Sequence, residues 1–221
     1  MFYERYCAKV ITDIIQVVVG LGLVTLLMNY VYVGTGHSTL LNDPEFRLRC
    51  VLLLLTILFA TYHLIGYIAD FATAENNGHW EVRTRSPSKI ILLFMLDLTA
   101  VGIVAAMFAV LYVTDEGSVS DFDVVWADLS ALAGLAASWH GLMLVWHLIA
   151  GPRVRALLTH IAMGVSFLVL SCLAYHDGNT GFFTVSTVFW TALFAIVVAL
   201  LYFVRGRRLI RNAIATVEKS V

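Results

Sequence analysis

Six apolar runs, at residues 10–33, 50–71, 90–113, 125–150, 156–175 and 183–204, constrain this chain more than any other feature of its sequence. At ~1.5 Å of rise per residue, each is close to the length a helix needs to cross the ~30 Å hydrocarbon core of a bilayer. Backbone amides find no water there, so only helices or closed barrels can span it. Continuous apolar stretches of this length, unlike short alternating ones, select the helix. The expected fold is all-α: a polytopic transmembrane helical bundle of six helices. Composition agrees, because the 221 residues are 60% hydrophobic and 13% charged, whereas a soluble domain carries roughly a quarter charged residues.

The interruptions at 34–49, 72–89, 114–123, 151–155 and 176–181 carry turn chemistry such as Asn42-Asp43-Pro44, Asn76-Asn77-Gly78 and Asp177-Gly178-Asn179, and are expected as loops. None is long enough for a soluble domain. Residues 1–204 therefore form one transmembrane domain, followed by a tail at 205–221. In the tail Leu209, Ile210, Ala213, Ile214 and Val217 recur at helical spacing opposite Arg208, Arg211 and Lys219. A basic amphipathic stretch of this kind suits anionic lipid head groups. The first run is longer than a signal-peptide core and no small-residue cleavage site follows it, so it is expected to remain as a spanning helix.

Orientation follows from Lys and Arg. If both termini are cytoplasmic, Arg5, Lys9, Arg83, Arg85, Lys89, Arg153, Arg155, Arg205, Arg207, Arg208, Arg211 and Lys219 lie inside. Only Arg47 and Arg49 of the 14 basic residues then fall outside, the bias that sets membrane topology. Aromatic residues agree: Tyr30, Tyr32, Tyr112, Trp126 and Tyr175 cluster at the outer ends, and Tyr67, Trp146 and Tyr202 at the inner ones. A multi-pass protein of the plasma (inner) membrane is expected. A net charge of −1 without a basic stripe excludes nucleic acid as a partner.

Ionisable residues inside membrane helices are costly and usually face protein or water, so the few present here are the candidate site. They are Asp13, His63, Asp97, His140, His147 and His160. By helical rise most lie within the inner third of the bundle, with Asp97 ~12 Å and His63 ~10 Å deep. A carboxylate beside an imidazole can relay a proton or bind a cation, which nominates Asp97, His63 and Asp13 as an ion or proton path. On the first helix Asp13, Gln16 and Gly20 share one face, expected to turn inward or toward another subunit.

His140 and His147 share a face of the fourth helix, and His147 and His160 flank a short loop at similar depth. Facing imidazoles of this kind are candidate haem b or metal ligands. The small residues Ala131, Ala133, Gly134, Ala136, Ala137 and Gly141 would line such a pocket, or serve helix packing, as Ser130, Gly134 and Ser138 would at small-xxx-small spacing.

No phosphate-binding, zinc-protease or nucleophile-elbow motif is present, and no catalytic residue is nominated. The leading expectation is a small channel or transporter for an ion or small solute, acting as a homo-oligomer. The alternatives are a non-catalytic subunit of a larger membrane complex and a b-type cytochrome; a membrane enzyme ranks below these. The topology is checked with fusions: a cytoplasmic reporter after Val221 is expected to be active, and a tag at Asp121 to be reachable from outside. Labelling of opposite sense at either site overturns the orientation.

Overall fold

In a computed structural model describing residues 3–34, 42–77, 86–113, 126–151, 154–181 and 186–220, every regular element is helical. A π-helical turn, Tyr3–Cys7, leads into α1, Ala8–Gly34; then come α2, Pro44–Asn77, and α3, Pro87–Val110. These are followed by α4, Trp126–Ala150, α5, Val154–Thr180, and α6, Thr187–Leu201. A second π-helical turn, Tyr202–Gly206, joins α6 to α7, Arg207–Ser220. Among the described residues six helices are long and apolar enough to cross a membrane, so the chain is an integral, multi-pass membrane protein. The end of the bundle that carries the Tyr3–Cys7 turn is the terminal end.

The spanning helices match the six apolar runs, but four of the expected loops are partly helix. α2 starts at Pro44, where proline's missing N–H belongs to the first turn and costs nothing. It runs on to Asn77, so Arg47 and Arg49 lie on a helix. α5 continues through Asp177 to Thr180 and stops at Gly181, whose φ of +61° is the left-handed cap conformation glycine adopts freely. The tail is also a helix. It packs against α2, with Leu209 buried and Arg207, Arg208 and Arg211 exposed. Asp70 lies on α2, its side chain outside the described residues.

Packing follows the bilayer's logic. Outward faces carry Leu21, Met28, Val165 and Phe203, all exposed, while Leu52, Phe59, Leu93, Met107 and Phe167 are fully buried. α4 and α5 form the closest pair. Ala133 and Ala136 are buried there, the Ser130 hydroxyl donates to the Ser171 carbonyl at 3.0 Å, and that of Ser171 to the Ser130 carbonyl at 2.7 Å. The small residues of α4 thus serve helix packing, although Ala131, Ser138 and Gly141 face outward.

The end opposite the termini is closed by a polar network. Asn29 Nδ2 donates to the Val113 carbonyl at 2.9 Å, and the Val113 amide donates back to Asn29 Oδ1 at 2.8 Å. Tyr30 Oη and Arg49 Nη1 both reach the Leu111 carbonyl, at 3.2 and 3.4 Å, and Arg49 Nη2 pairs with Asp128 at 3.2 Å. The carbonyls at a helix end lack intrahelical partners, and side chains of α1 and α2 supply them. One of the two basic residues that break the charge rule therefore has a structural task. Trp126 and Tyr175, expected as belt anchors, stack edge-to-face at 5.6 Å. Replacing Asn29 by Leu strips both partners from Val113, and thermal unfolding in detergent is expected to show a loss of about 1–2 kcal/mol.

Candidate functional site

The candidate residues converge toward the terminal end. Asp97, on α3, is fully buried. Tyr67 Oη of α2 donates to its Oδ1, and Trp146 Nε1 of α4 donates to its Oδ2 at 3.2 Å. The same indole lies 3.4 Å from Tyr3 Oη on the N-terminal turn. His63 sits one helical turn before Tyr67, with the two rings 5.0 Å apart. The expected Asp97–His63 association thus runs through Tyr67. Asp13 stands apart, exposed on α1 beside the equally exposed Gln16 and Gly20.

The second half of the cluster lies between α4, α5 and the π-helical turn after α6. His140 Nδ1 and His160 Nδ1 are 3.0 Å apart, and Arg205 Nη1 lies 2.7 Å from His160 Nε2. His147 packs at 5.1 Å from the His160 ring, so the expected meeting of these two across the short loop is observed. Gly164 makes this approach possible, because a Cβ there would sit 3.3 Å from His140 Cβ. Trp139 separates the two halves, its ring 4.8 Å from His63, 5.0 Å from His140 and 5.8 Å from His160.

The donors fix the tautomers. A guanidinium only donates, so His160 Nε2 accepts and carries no hydrogen. His160 therefore bears its proton on Nδ1 and donates it to His140 Nδ1, which leaves the proton of neutral His140 on Nε2. By the same logic Trp139 Nε1, a donor only, gives its hydrogen to His63 Nδ1 at 3.2 Å, and neutral His63 is protonated on Nε2. Both Nε2 atoms are buried and have no hydrogen-bond partner among the described residues. Buried polar groups are nearly always partnered, so two N–H donors without an acceptor mark the centre of the cluster as chemically open.

His140 and His160 touch directly, with centroids 5.3 Å apart, and His147 and His160 are at 5.1 Å. Neither pair leaves a slot for a porphyrin, so these imidazoles do not fit as facing axial ligands. Among the described residues no three His, Cys, Asp or Glu side chains are grouped to hold a metal ion.

Four members of the site carried no chemical role in the sequence: Tyr67, Trp139, Trp146 and Arg205. Tyr67 and Trp146 had the position of belt residues, and the one available signal was spacing. Tyr67 is four residues beyond His63, and Trp139 and Trp146 directly precede His140 and His147. No family model matches the chain, and no curated protein or solved structure matches it either.

The tautomers are checkable by ¹⁵N NMR on histidine-labelled protein. Protonated Nε2 is expected at His63 and His140, and protonated Nδ1 at His160. Arg205→Leu is expected to release the last assignment and give a tautomer mixture at His160.

Proposed function

We propose that this chain is a small membrane channel or transporter that moves protons, or a solute coupled to protons, through its Asp97–Tyr67–His63 and His140–His160 groups. One observation carries the reading. Ionisable side chains from four spanning helices lie in hydrogen-bonding or ring contact inside the bundle. Such groups are expensive in a membrane and usually line ion or proton routes.

The chemistry favours a proton over a hydrated ion. Selective ion paths are built from rings of oxygen ligands or wet pores, and here the groups are mostly nitrogen donors and acceptors packed ring against ring. A proton needs only donors and acceptors within hydrogen-bond reach, and imidazole offers one of each. The line has one break. An indole N–H cannot accept a proton, so nothing passes through Trp139. A bridge must reach the Nε2–H groups of His63 and His140, and a bound water or an acceptor-bearing solute supplies it. A groove of about 550 Å³ between α1 and α3, lined by Val18, Leu21, Gly22, Thr25, Phe108 and Tyr112, contains none of these groups and suits a lipid chain.

The charge distribution supports cytoplasmic termini, the basic residues of α7 support contact with anionic lipid, and a plasma-membrane location is part of the proposal. A second reading, a non-catalytic subunit whose buried polar groups only fix helix register, is favoured by one observation. The polar face of α1 with Asp13 and Gln16 is exposed.

Proteoliposomes loaded with a pH-sensitive dye separate the two. Wild-type protein is expected to dissipate a proton gradient. Asp97→Asn is expected to slow this by roughly tenfold or more while leaving the size-exclusion profile unchanged, on the scale of a lost proton-transfer group. If the cluster is structural, the same change lowers stability by about 0.5–2 kcal/mol and leaves flux alone. Normal flux through the Asn variant, or none through the wild type, sinks the transport reading.

A further inference from the structure

Among the described residues the polar face of α1 is exposed and packs on no other helix of the chain. Lys9, Asp13, Gln16, Gly20, Val24, Leu27 and Val31 are all exposed. They recur at steps of four, three and four residues, an eleven-residue period that keeps them on one nearly straight stripe. α1 packs on α3 and α2 with its other side, where Ile11 and Ile15 are fully buried against Val101. The half of the stripe toward the opposite end is ordinary lipid-facing surface. The terminal half is not, because it presents a carboxylate, a carboxamide and an ammonium along one helix within a membrane span. Lys9 can extend to the interface, but Gln16 is about two turns further in and too short to reach it.

From this we infer that the Asp13–Gln16–Gly20 face is the contact surface of a homodimer in which α1 packs against α1 of a second copy. The chemistry selects a second copy over an unrelated helix, because the patch complements itself. A two-fold axis along the bilayer normal brings like levels together. Gln16 then meets its own counterpart, and a carboxamide is both donor and acceptor, so two of them bond reciprocally. At their own levels Asp13 meets Asp13 and Lys9 meets Lys9 of the second copy, and the long, flexible Lys9 side chain spans the one turn to the opposite Asp13, offsetting the like charges in both directions. Gly20 supplies the close approach. A Cβ there would meet nothing within 4 Å in this chain, so the space beside it is open, and small residues are where membrane helices come nearest. The dimer stands independently of proton transport, since none of these residues belongs to the buried cluster.

Disulfide trapping in native membranes tests it, in a background with Cys7, Cys50 and Cys172 replaced by Ala. Gly20→Cys is expected to give an adduct of two chains on mild oxidation. Leu168→Cys, equally exposed but on α5, is expected not to. Adding Gln16→Leu to the Gly20→Cys chain is expected to reduce the adduct several-fold. The inference is overturned by a Gly20→Cys yield no higher than the Leu168→Cys control, or by an adduct indifferent to Gln16→Leu. An adduct of another mass also overturns it, since a different membrane chain then occupies the face.

Discussion

Everything in this structure answers to one constraint: a polar group placed in hydrocarbon must find its partner inside the protein. The two ends of the bundle answer it differently. At the end opposite the termini, Asn29, Tyr30 and Arg49 satisfy the carbonyls of Leu111 and Val113 just past α3, and Arg49 pairs with Asp128. That network ties α1, α2, α3 and α4 into one cap. Toward the same end, Ser130 and Ser171 close α4 onto α5, and Trp190 Nε1 donates to Asp177 at 2.9 Å to hold α6 against α5. Each of these links engages its partners fully and has an evident purpose in fixing helix positions.

Toward the terminal end the matching of the His63 and His140 imidazoles is incomplete among the described residues. Arg205 and Trp139 each donate to one nitrogen of an imidazole, and in doing so they push the ring proton to the far side. The bundle holds these rings rigidly. Phe59 packs edge-to-face on Trp139 and on His140, and Phe167 stacks on His140 at 5.6 Å. A rigid aromatic frame around unsatisfied donors is a poor design for stability alone, because a buried N–H without an acceptor costs free energy. It is a reasonable design for a site that must hold an acceptor or pass a proton.

The sequence made the fold legible because hydrophobic length is a property of contiguous residues. Each spanning helix could be read from its own run, and the six together set the architecture. Helix ends were less legible: Pro44 and Asp177 look like turn residues locally, and only tertiary partners, Arg49 on Asp128 and Trp190 on Asp177, show why the helices extend past them. The site was half legible. Asp97, His63, His140, His147 and His160 stood out because charge and imidazole are rare in hydrocarbon. Tyr67, Trp139 and Trp146 did not, since aromatic residues are ordinary there and only geometry shows that their polar edges point at the cluster. Asp13 looked like a member by type and depth, and the rotation of α1 places it elsewhere.

Arg205 was the least legible of all, because its role depends on a break in helical regularity. In a straight α-helix each residue turns 100°, and the basic stretch from Arg205 onward would continue the lipid-facing and terminal surface of α6. The π-helical turn at Tyr202–Gly206 carries one extra residue in its ring of hydrogen bonds and so rotates the residues beyond it. Tyr202 Oη anchors this turn to the Leu58 carbonyl of α2, and Gly206 is buried. The result is a guanidinium, half-buried, aimed inward at His160. Because arginine does not deprotonate, its contact dictates where the His160 proton sits for as long as it persists. A proton can enter His160 at Nε2 only when that contact opens, so the irregular turn, anchored on one side to α2, is the place where the state of the imidazole pair is set.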